Sequence, residues 1–302
     1  MRGETMKIAI AGGSGFVGKH IAQYFAREGH KVVILSRSEQ EGYGNIEYAK
    51  WMTDGADPAK HLEGLDVMIN LAGKSISTRW TEETKKEIVE SRVESSREVY
   101  KILESLDQKP SVFISASAVG VYGTSEKETF TEDSAATDED FLSDTVQKWE
   151  QEASMIRDLG IRTVYARFGI VLGEGGVLQK MILPYKLYGG GPLGSGTQWM
   201  SWIHVTDIAG LMDFIIRHDE ISGPVNMTAP NPVQMETFGK TLGEVLNRPH
   251  WLPAPGSAIK LALGEMSILL LEGQRVLPKK AIESGYTFIY PSLERALSDI
   301  IK

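Results

Sequence analysis

The sequence predicts an α/β fold, a doubly wound parallel sheet with a smaller C-terminal lobe, on three observations. In residues 7–37 a short apolar run (Ile8, Ala9, Ile10, Ala11) meets a glycine-rich turn; apolar residues at helical spacing (Val17, Ile21, Phe25) and a second apolar run (Val32 to Leu35) follow. That order is strand, turn, helix, strand. Short runs of the buried-strand type return at 65–70, 111–115, 162–172 and 224–227, with helical patterns between most of them, as crossover connections of a parallel sheet require. Glycine- and proline-broken segments at 189–196 and 252–278 interrupt this alternation and mark the smaller lobe.

With 302 residues, 42% of them hydrophobic, the chain suffices for one large domain or one domain with a lobe. A formal net charge of −8 argues against nucleic acid or an anionic membrane as a partner held by bulk charge, while leaving room for a local basic pocket. The absence of cysteine removes disulfides and thiolate catalysis, and the six histidines lack metal-ligand spacing. No run reaches about 18 apolar residues, and residues 1–5 carry no apolar leader, so the expectation is a cytoplasmic protein with no metal and an open oligomeric state.

The first element carries the sharpest signal. Gly12, Gly15 and Gly18 let the backbone bend and lie close to a pyrophosphate at a helix N-terminus; the plain alternative is a turn with a close helix–strand contact. The spacing is Gly-x-x-Gly-x-x-Gly, with an overlapping Gly13-x-Gly15-x-x-Gly18. Gly12-Gly13-Ser14-Gly15-Phe16-Val17-Gly18 resembles the cofactor loop of the extended and atypical short-chain dehydrogenase/reductases, the group that holds sugar-nucleotide epimerases. The resemblance implies a Rossmann-type sheet and cofactor contacts at Gly12, Ser14, Gly15, Phe16, Val17 and Gly18. The second strand ends Leu35-Ser36-Arg37, without the carboxylate that accepts from the ribose hydroxyls of NAD. A guanidinium pairs bidentately with a 2′-phosphate, so Arg37 points to NADP, with Ser36 as a further donor; the alternative is a solvated arginine.

Residues 46–51 read as a strand and 54–64 as a connection. The run 65–73 ends in small residues, and ligands lie outside the carboxyl ends of such strands, which puts 70–73 at the cofactor unless they form a plain turn. The segment resembles the Asn-Ala-Gly or Leu-Ala-Gly motif of the same superfamily, which implies contacts from Leu71, Ala72 and Gly73. Residues 81–106 form one long helix or two with Thr81 as N-cap, and Arg79-Trp80 ahead of it either line a substrate pocket or pack.

The strand 111–115 continues into Ala116-Ser117-Ala118-Val119-Gly120-Val121-Tyr122-Gly123, which resembles the Ser-Ser-x-x-Val-Tyr-Gly segment of extended members. Their catalytic hydroxyl falls here on Ala118, which leaves Ser117, one residue off, and Tyr122 as catalytic candidates. Thr131-Glu132-Asp133 resembles the loop that comes near substrate, and residues 138–140 start a helix with charge. That helix should carry a Tyr-x-x-x-Lys pair, in which an ammonium lowers the pKa of a phenol. Lys148 has Asp144 four residues before it, and the other register supplies Leu142 and Val146. No phenol stands in either register, which moves the resemblance to the atypical members, as does Trp149-Glu150.

Residues 162–172 read as a sixth strand and 189–196 as a hinge or close-approach loop; 198–207 resembles the Phe-Ile-His-Val-x-Asp element that in the family returns the chain to the sheet, with Asp207 capping a helix over 208–217 or complementing its dipole. His204 is architectural by resemblance, with catalysis the lesser alternative. A strand at 224–227, an amphipathic helix at 235–246 and short broken helices complete the chain. The C-terminal part resembles a domain of unknown function attached to an epimerase-like subgroup related to the NAD-dependent epimerase/dehydratases, and the resemblance covers residues 7–301. It implies a dinucleotide-binding domain over 6–175, rejoined by 200–228, and a substrate-side lobe from 176–199 and 229–302. Two functions follow as expectations: an NADP-dependent oxidoreductase or epimerase-like enzyme acting on a small polar or nucleotide-linked molecule, or a non-catalytic NADP-binding regulator. Relatives linked to cell or plastid division suit the second.

Overall fold

Short runs rich in Val, Ile and Ala become parallel strands here because helices cover both of their faces. The computed structural model describes residues 5–301; of the leader reading on residues 1–5, positions 1–4 lie outside it. β1 (Lys7–Ala11) turns through the glycines into α1 (Phe16–Arg27) and returns as β2 (Lys31–Ser36), followed by β3 (Ile46–Lys50) and β4 (Val67–Asn70). Next come α2 (Glu82–Ser105), β5 (Val112–Ala118), the short β6 (Thr129–Phe130) and α3 (Phe141–Ser154). β7 (Arg162–Phe168), β8 (Ile170–Leu172), α4 (Val177–Lys186), β9 (Trp199–Met200) and β10 (Trp202–His204) lead into α5 (Val205–Arg217) and β11 (Gly223–Met227). β12 (Val233–Gln234), α6 (Met235–Leu246), α7 (Gly256–Leu263), α8 (Ile268–Leu271), β13 (Arg275–Val276), α9 (Lys279–Glu283) and α10 (Leu293–Ile300) complete the described chain.

Seven strands form one sheet in the order β11-β7-β5-β4-β1-β2-β3, every neighbouring pair parallel. The chain thus winds one way from β1 to β3 and the other way from β4 to β11, so the neighbouring carboxyl ends of β1 and β4 mark the switch point, at whose crevice such sheets bind ligands. Alternation along the strands divides the core: Ile8, Ile10 and Ile34 meet Phe25 of α1 and Met212 of α5, while Ala9, Val33 and Phe113 meet Val99 and Leu103 of α2. A third cluster joins α4, α6 and α10 through Ile182, Trp202, Phe238, Leu242 and Leu297. This is the smaller C-terminal region.

Three local readings are refined. Residues 81–106 form a single helix, and Thr81 caps it by accepting from the Thr84 N–H at 3.1 Å. The run 162–172 breaks at Gly169, where a side chain would sit 2.3 Å from the Ser201 carbonyl oxygen, and the chain steps from the main sheet to the β8–β10 pair. The cap of α5 is His204, whose Nδ1 accepts from the Thr206 N–H at 3.2 Å. Asp207 lies in the first turn, where its charge suits the dipole, and its carboxylate accepts from Ile289 N–H at 2.8 Å, Tyr290 N–H at 2.9 Å and Tyr286 Oη at 3.2 Å. Fully buried, it straps the C-terminal segment over α5.

His204 is 3% exposed, and burial lowers its pKa to about 4, although Asp299 lies 3.6 Å from Nε2 and opposes the shift. Between the ordinary histidine value and about 4 the unfolded chain binds a proton that the folded chain does not, so stability present at neutral pH is lost as pH falls through this window. Urea unfolding at pH 7.5 and 4.5 should show wild type losing about 2 kcal/mol more than His204→Asn, which keeps a capping side chain. Equal losses would refute the assignment.

Candidate functional site

At the crevice the glycines of the first turn serve different ends. Gly12 has φ +75°, and a Cβ there would lie 2.7 Å from the backbone carbon of Leu71, so the loops after β1 and β4 touch. A Cβ on Gly18 would meet the Gly12 oxygen at 2.4 Å, and one on Gly13 the Ile34 side chain at 2.9 Å. Those positions need glycine for packing. Gly15 is less confined: the nearest atom to its Cβ would be the Gly12 oxygen at 3.3 Å, a tight contact but not a clash. Gly15 is also the N-cap of α1, which has no side-chain cap and no acidic residue in its first turn, so neither of these neutralises the positive end of the helix. Ser14 is exposed beside it; the Phe16 ring lies against Gly173 and Gly175, and Val17 packs on the core.

Ser36 is buried and its Oγ accepts from Ser38 N–H and Gln40 Nε2, both at 3.2 Å, which shapes the turn after β2. Arg37 is exposed, and no carboxylate pairs with it among the described residues. After β4, Leu71 N–H donates to Ala11 at 2.9 Å, the fully buried Asn70 accepts from Ala72 N–H at 3.1 Å, and Gly73 lies beside the Arg92 side chain. These positions therefore follow the carboxyl ends of three neighbouring strands, β2, β1 and β4.

Past the carboxyl ends of β5 and β7 is a cavity of about 220 Å³. Ala118 lines it, and so do Leu142 and Val146 of α3; Lys148 points to the exposed face and pairs with Asp144 at 2.7 Å. The face of α3 toward the cavity is thus the apolar register. Asp140 caps α3 in a reciprocal capping box with Ser143 and also lines the cavity. Ser117 and Tyr122 are 2% and 3% exposed and do not line it. Ser117 Oγ donates to Glu150 at 2.5 Å; Glu150 holds Arg167 by two bonds of 2.8 Å; Arg167 Nη1 donates to Tyr122 Oη at 2.9 Å, and Tyr122 donates to Asn226 at 2.8 Å. Burial raises the pKa of the Tyr122 phenol, and Arg167 and Asn226 only partly oppose it. Glu132, expected near substrate, is instead buried and accepts from the N–H groups of Asn226 and Lys280.

Arg92 is the cation in the cavity wall, and sequence reasoning missed it among the charges of a solvated helix face. Its Nη1 donates to the carbonyls of Lys74 at 3.0 Å and Ile88 at 2.8 Å, and the guanidinium lies 4.9 Å over the Trp149 ring, whose N–H has no acceptor among the described residues. Burial lowers its pKa to about 10, which still leaves it charged at neutral pH. Trp80 does not reach the cavity: it packs edge-on against Phe141 at 5.1 Å while the preceding Ile76 lines the wall. His204 stands outside it. Among the described residues no cluster of His, Asp and Glu could hold a metal, and no helix is long and apolar enough to cross a membrane.

Comparison with known proteins agrees with this layout. A model of the NAD dependent epimerase/dehydratase family matches residues 8–227, and one of a domain of unknown function, DUF1731, matches 254–300. The chain is 54% identical to Epimerase family protein YfhF of Bacillus subtilis (strain 168) over 98% of both proteins. Human epimerase family protein SDR39U1 (isoform 2), solved with NADPH, superposes with a TM-score of 0.88 at 34% identity, covering 98% of this chain and 99% of that one. A nucleoside-diphosphate sugar epimerase from Corynebacterium glutamicum gives a TM-score of 0.78 at 30% identity over 99% of this chain and 58% of that one. The chain therefore belongs to the NAD-dependent epimerase/dehydratase family, an NAD(P)-binding group of the short-chain dehydrogenase/reductases, and ends in a DUF1731 domain.

Proposed function

We propose that the chain is an NADP-binding, oxidoreductase- or epimerase-like protein of the atypical short-chain dehydrogenase/reductase group. The observation that carries this is the open end of α1 at Gly15, together with Arg37, exposed and without a carboxylate at the end of β2. Gly12, Ser14, Gly15, Phe16, Val17 and Gly18 would hold the pyrophosphate mainly through backbone, Ser36 and Arg37 the 2′-phosphate, and Leu71, Ala72 and Gly73 the adenosine side. The NADPH in the human relative supports the phosphate-bearing cofactor. When bound, a nicotinamide supplies hydride chemistry. The chain's own part is to orient a small molecule whose polar oxygen faces Arg92, a fixed positive charge in an otherwise mostly apolar wall. In this reading residues 6–175 with 200–228 bind the cofactor, and 176–199 with 229–302 face the substrate.

Ser117 and Tyr122, the sequence candidates for proton transfer, are better placed as positioning residues, because their hydroxyls serve Glu150, Arg167 and Asn226. Ala118, Leu142 and Val146 face the cavity in their place. This apolar set favours a second reading, a non-catalytic NADP-binding regulator. The two part on turnover: NADPH oxidation or epimerisation of common sugar nucleotides should be weak or absent, and rates near the roughly 10 per second median of enzymes would overturn the atypical assignment.

Titration of both cofactors should show NADPH binding roughly ten- to a hundredfold more tightly than NADH, with Arg37→Ala erasing most of the preference. No preference in wild type sinks the proposal. Gly15→Val should lose cofactor binding with an unchanged circular dichroism spectrum, because valine suits the extended backbone there, φ −73° and ψ 172°, and the only close neighbour of its Cβ among the described residues is the Gly12 oxygen at 3.3 Å, which needs to give by a few tenths of an ångström. Retained tight binding would assign Gly15 to packing.

A further inference from the structure

Beside the reaction cavity lies a larger one of about 560 Å³, the size of a drug-sized ligand site. Leu269 lines both, and the adjacent Ile76 and Ser77 line one each, so the two share a wall. The larger cavity is walled by Met181, Leu193, Phe238, Leu242, Met266 and Leu270 among others; Lys180, the one charged side chain in its lining, is exposed. The Tyr185 hydroxyl is bonded to His250 at 2.8 Å, and the Gly190 carbonyl already accepts from the N–H groups of Trp251 and Leu252. Few polar groups in the wall are therefore free to meet a ligand.

Its cover is unusual for so apolar a stretch. α7 and α8 contain Ile259, Leu261, Leu263, Ile268, Leu269, Leu270 and Leu271, yet neither helix buries a residue. Leu263, Leu269 and Leu270 face the cavity instead of a packed core. A nucleoside diphosphate in this space would place phosphates and a hydrogen-bonding base against hydrocarbon, at a large desolvation cost.

We propose that this cavity takes the apolar part of the substrate, a hydrocarbon chain or ring system whose oxygenated end reaches the smaller cavity beside Arg92. The proposal rests on the reading of that smaller cavity as the reaction site, and it replaces a nucleotide-linked substrate with an amphipathic one. The test uses the full chain and straight-chain 1-alkanols from hexanol to dodecanol, competing with the fluorophore 1-aminoanthracene, with and without NADPH. Affinity should rise roughly threefold to fourfold per added methylene until the cavity is full. Met181→Trp on α4 and Leu270→Trp on α8, half-buried positions in the lining, should each weaken decanol at least tenfold while retaining the wild-type melting temperature within a few degrees.

Affinity independent of chain length, undiminished decanol binding in both folded variants, or UDP-glucose competing as well as decanol would overturn the proposal. If neither variant folds, the wild-type alkanol series alone decides. Failure of NADPH to bind, with the alkanol series intact, would instead strike the cofactor reading and leave the apolar site standing.

Discussion

The bidentate pair between Glu150 and Arg167, with side chains 15% and 8% exposed, is the constraint on which the site depends. It ties the last turns of α3 to β7, and it continues through Tyr122 to Asn226 on β11 and from there to Glu132 and the backbone of α9. Burial pulls the pKa of Arg167 down, but the bonds and charge of Glu150 outweigh it and the net shift is upward. Desolvation offsets much of the attraction in such a pair, so its main effect is geometric: each remaining proton and lone pair must find a partner. Ser117 and Tyr122 meet that demand. The same demand turns their hydroxyls inward and leaves Ala118, Leu142 and Val146 to face the cavity.

Residues 7–37 were legible as a sequence because their determinants are local: a strand, a turn that tolerates positive φ at Gly12, and an apolar helical stripe all lie within one unit. The parallel sheet followed from the same periodicity. What could not be read was every feature whose partner is distant in the chain. Tyr122 meets Asn226 across 104 positions, and Asp207 meets Tyr290 across 83. Arg167 sits in a run that reads as an ordinary buried strand, and Arg92 in one that reads as a solvated face. The register of α3 was open for a related reason, since spacing alone does not say which side of a helix the sheet will cover. Contact with α2 and β5 settles it, placing Lys148 outside.

The two halves of the site differ in what makes them. The crevice proposed for the cofactor is built largely from backbone: an uncapped helix end, the close contact of Gly12 with Leu71, and the approach of Gly18 to Gly12. Few side chains are needed there, so a family can keep this half while its chemistry drifts. Positive groups stand at the end of α1, at Arg37 and at Arg92, even though the whole chain carries a net charge of −8, and Asp140 and Glu272 share the cavity with Arg92.

The cavity proposed for the reaction, by contrast, is defined by side chains, and Ala118, Leu142 and Val146 among them are hydrocarbon. A phenol next to an ammonium exchanges a proton because the charge lowers its pKa; alanine, leucine and valine offer neither proton nor charge. Family membership therefore carries the binding of a dinucleotide with it and leaves the reaction open. The cation of the wall is Arg92, fixed by two carbonyls and an indole face, and the carboxylates of Asp140 and Glu272 line the same cavity. A guanidinium held in this way stabilises negative charge on a nearby oxygen but does not deliver a proton at neutral pH, with a pKa still about 10. Proton transfer at this site is left to its other polar groups, the carboxylates of Asp140 and Glu272 among them, or to substrate and water. The side chains of the cavity thus select among reactions more sharply than the fold does.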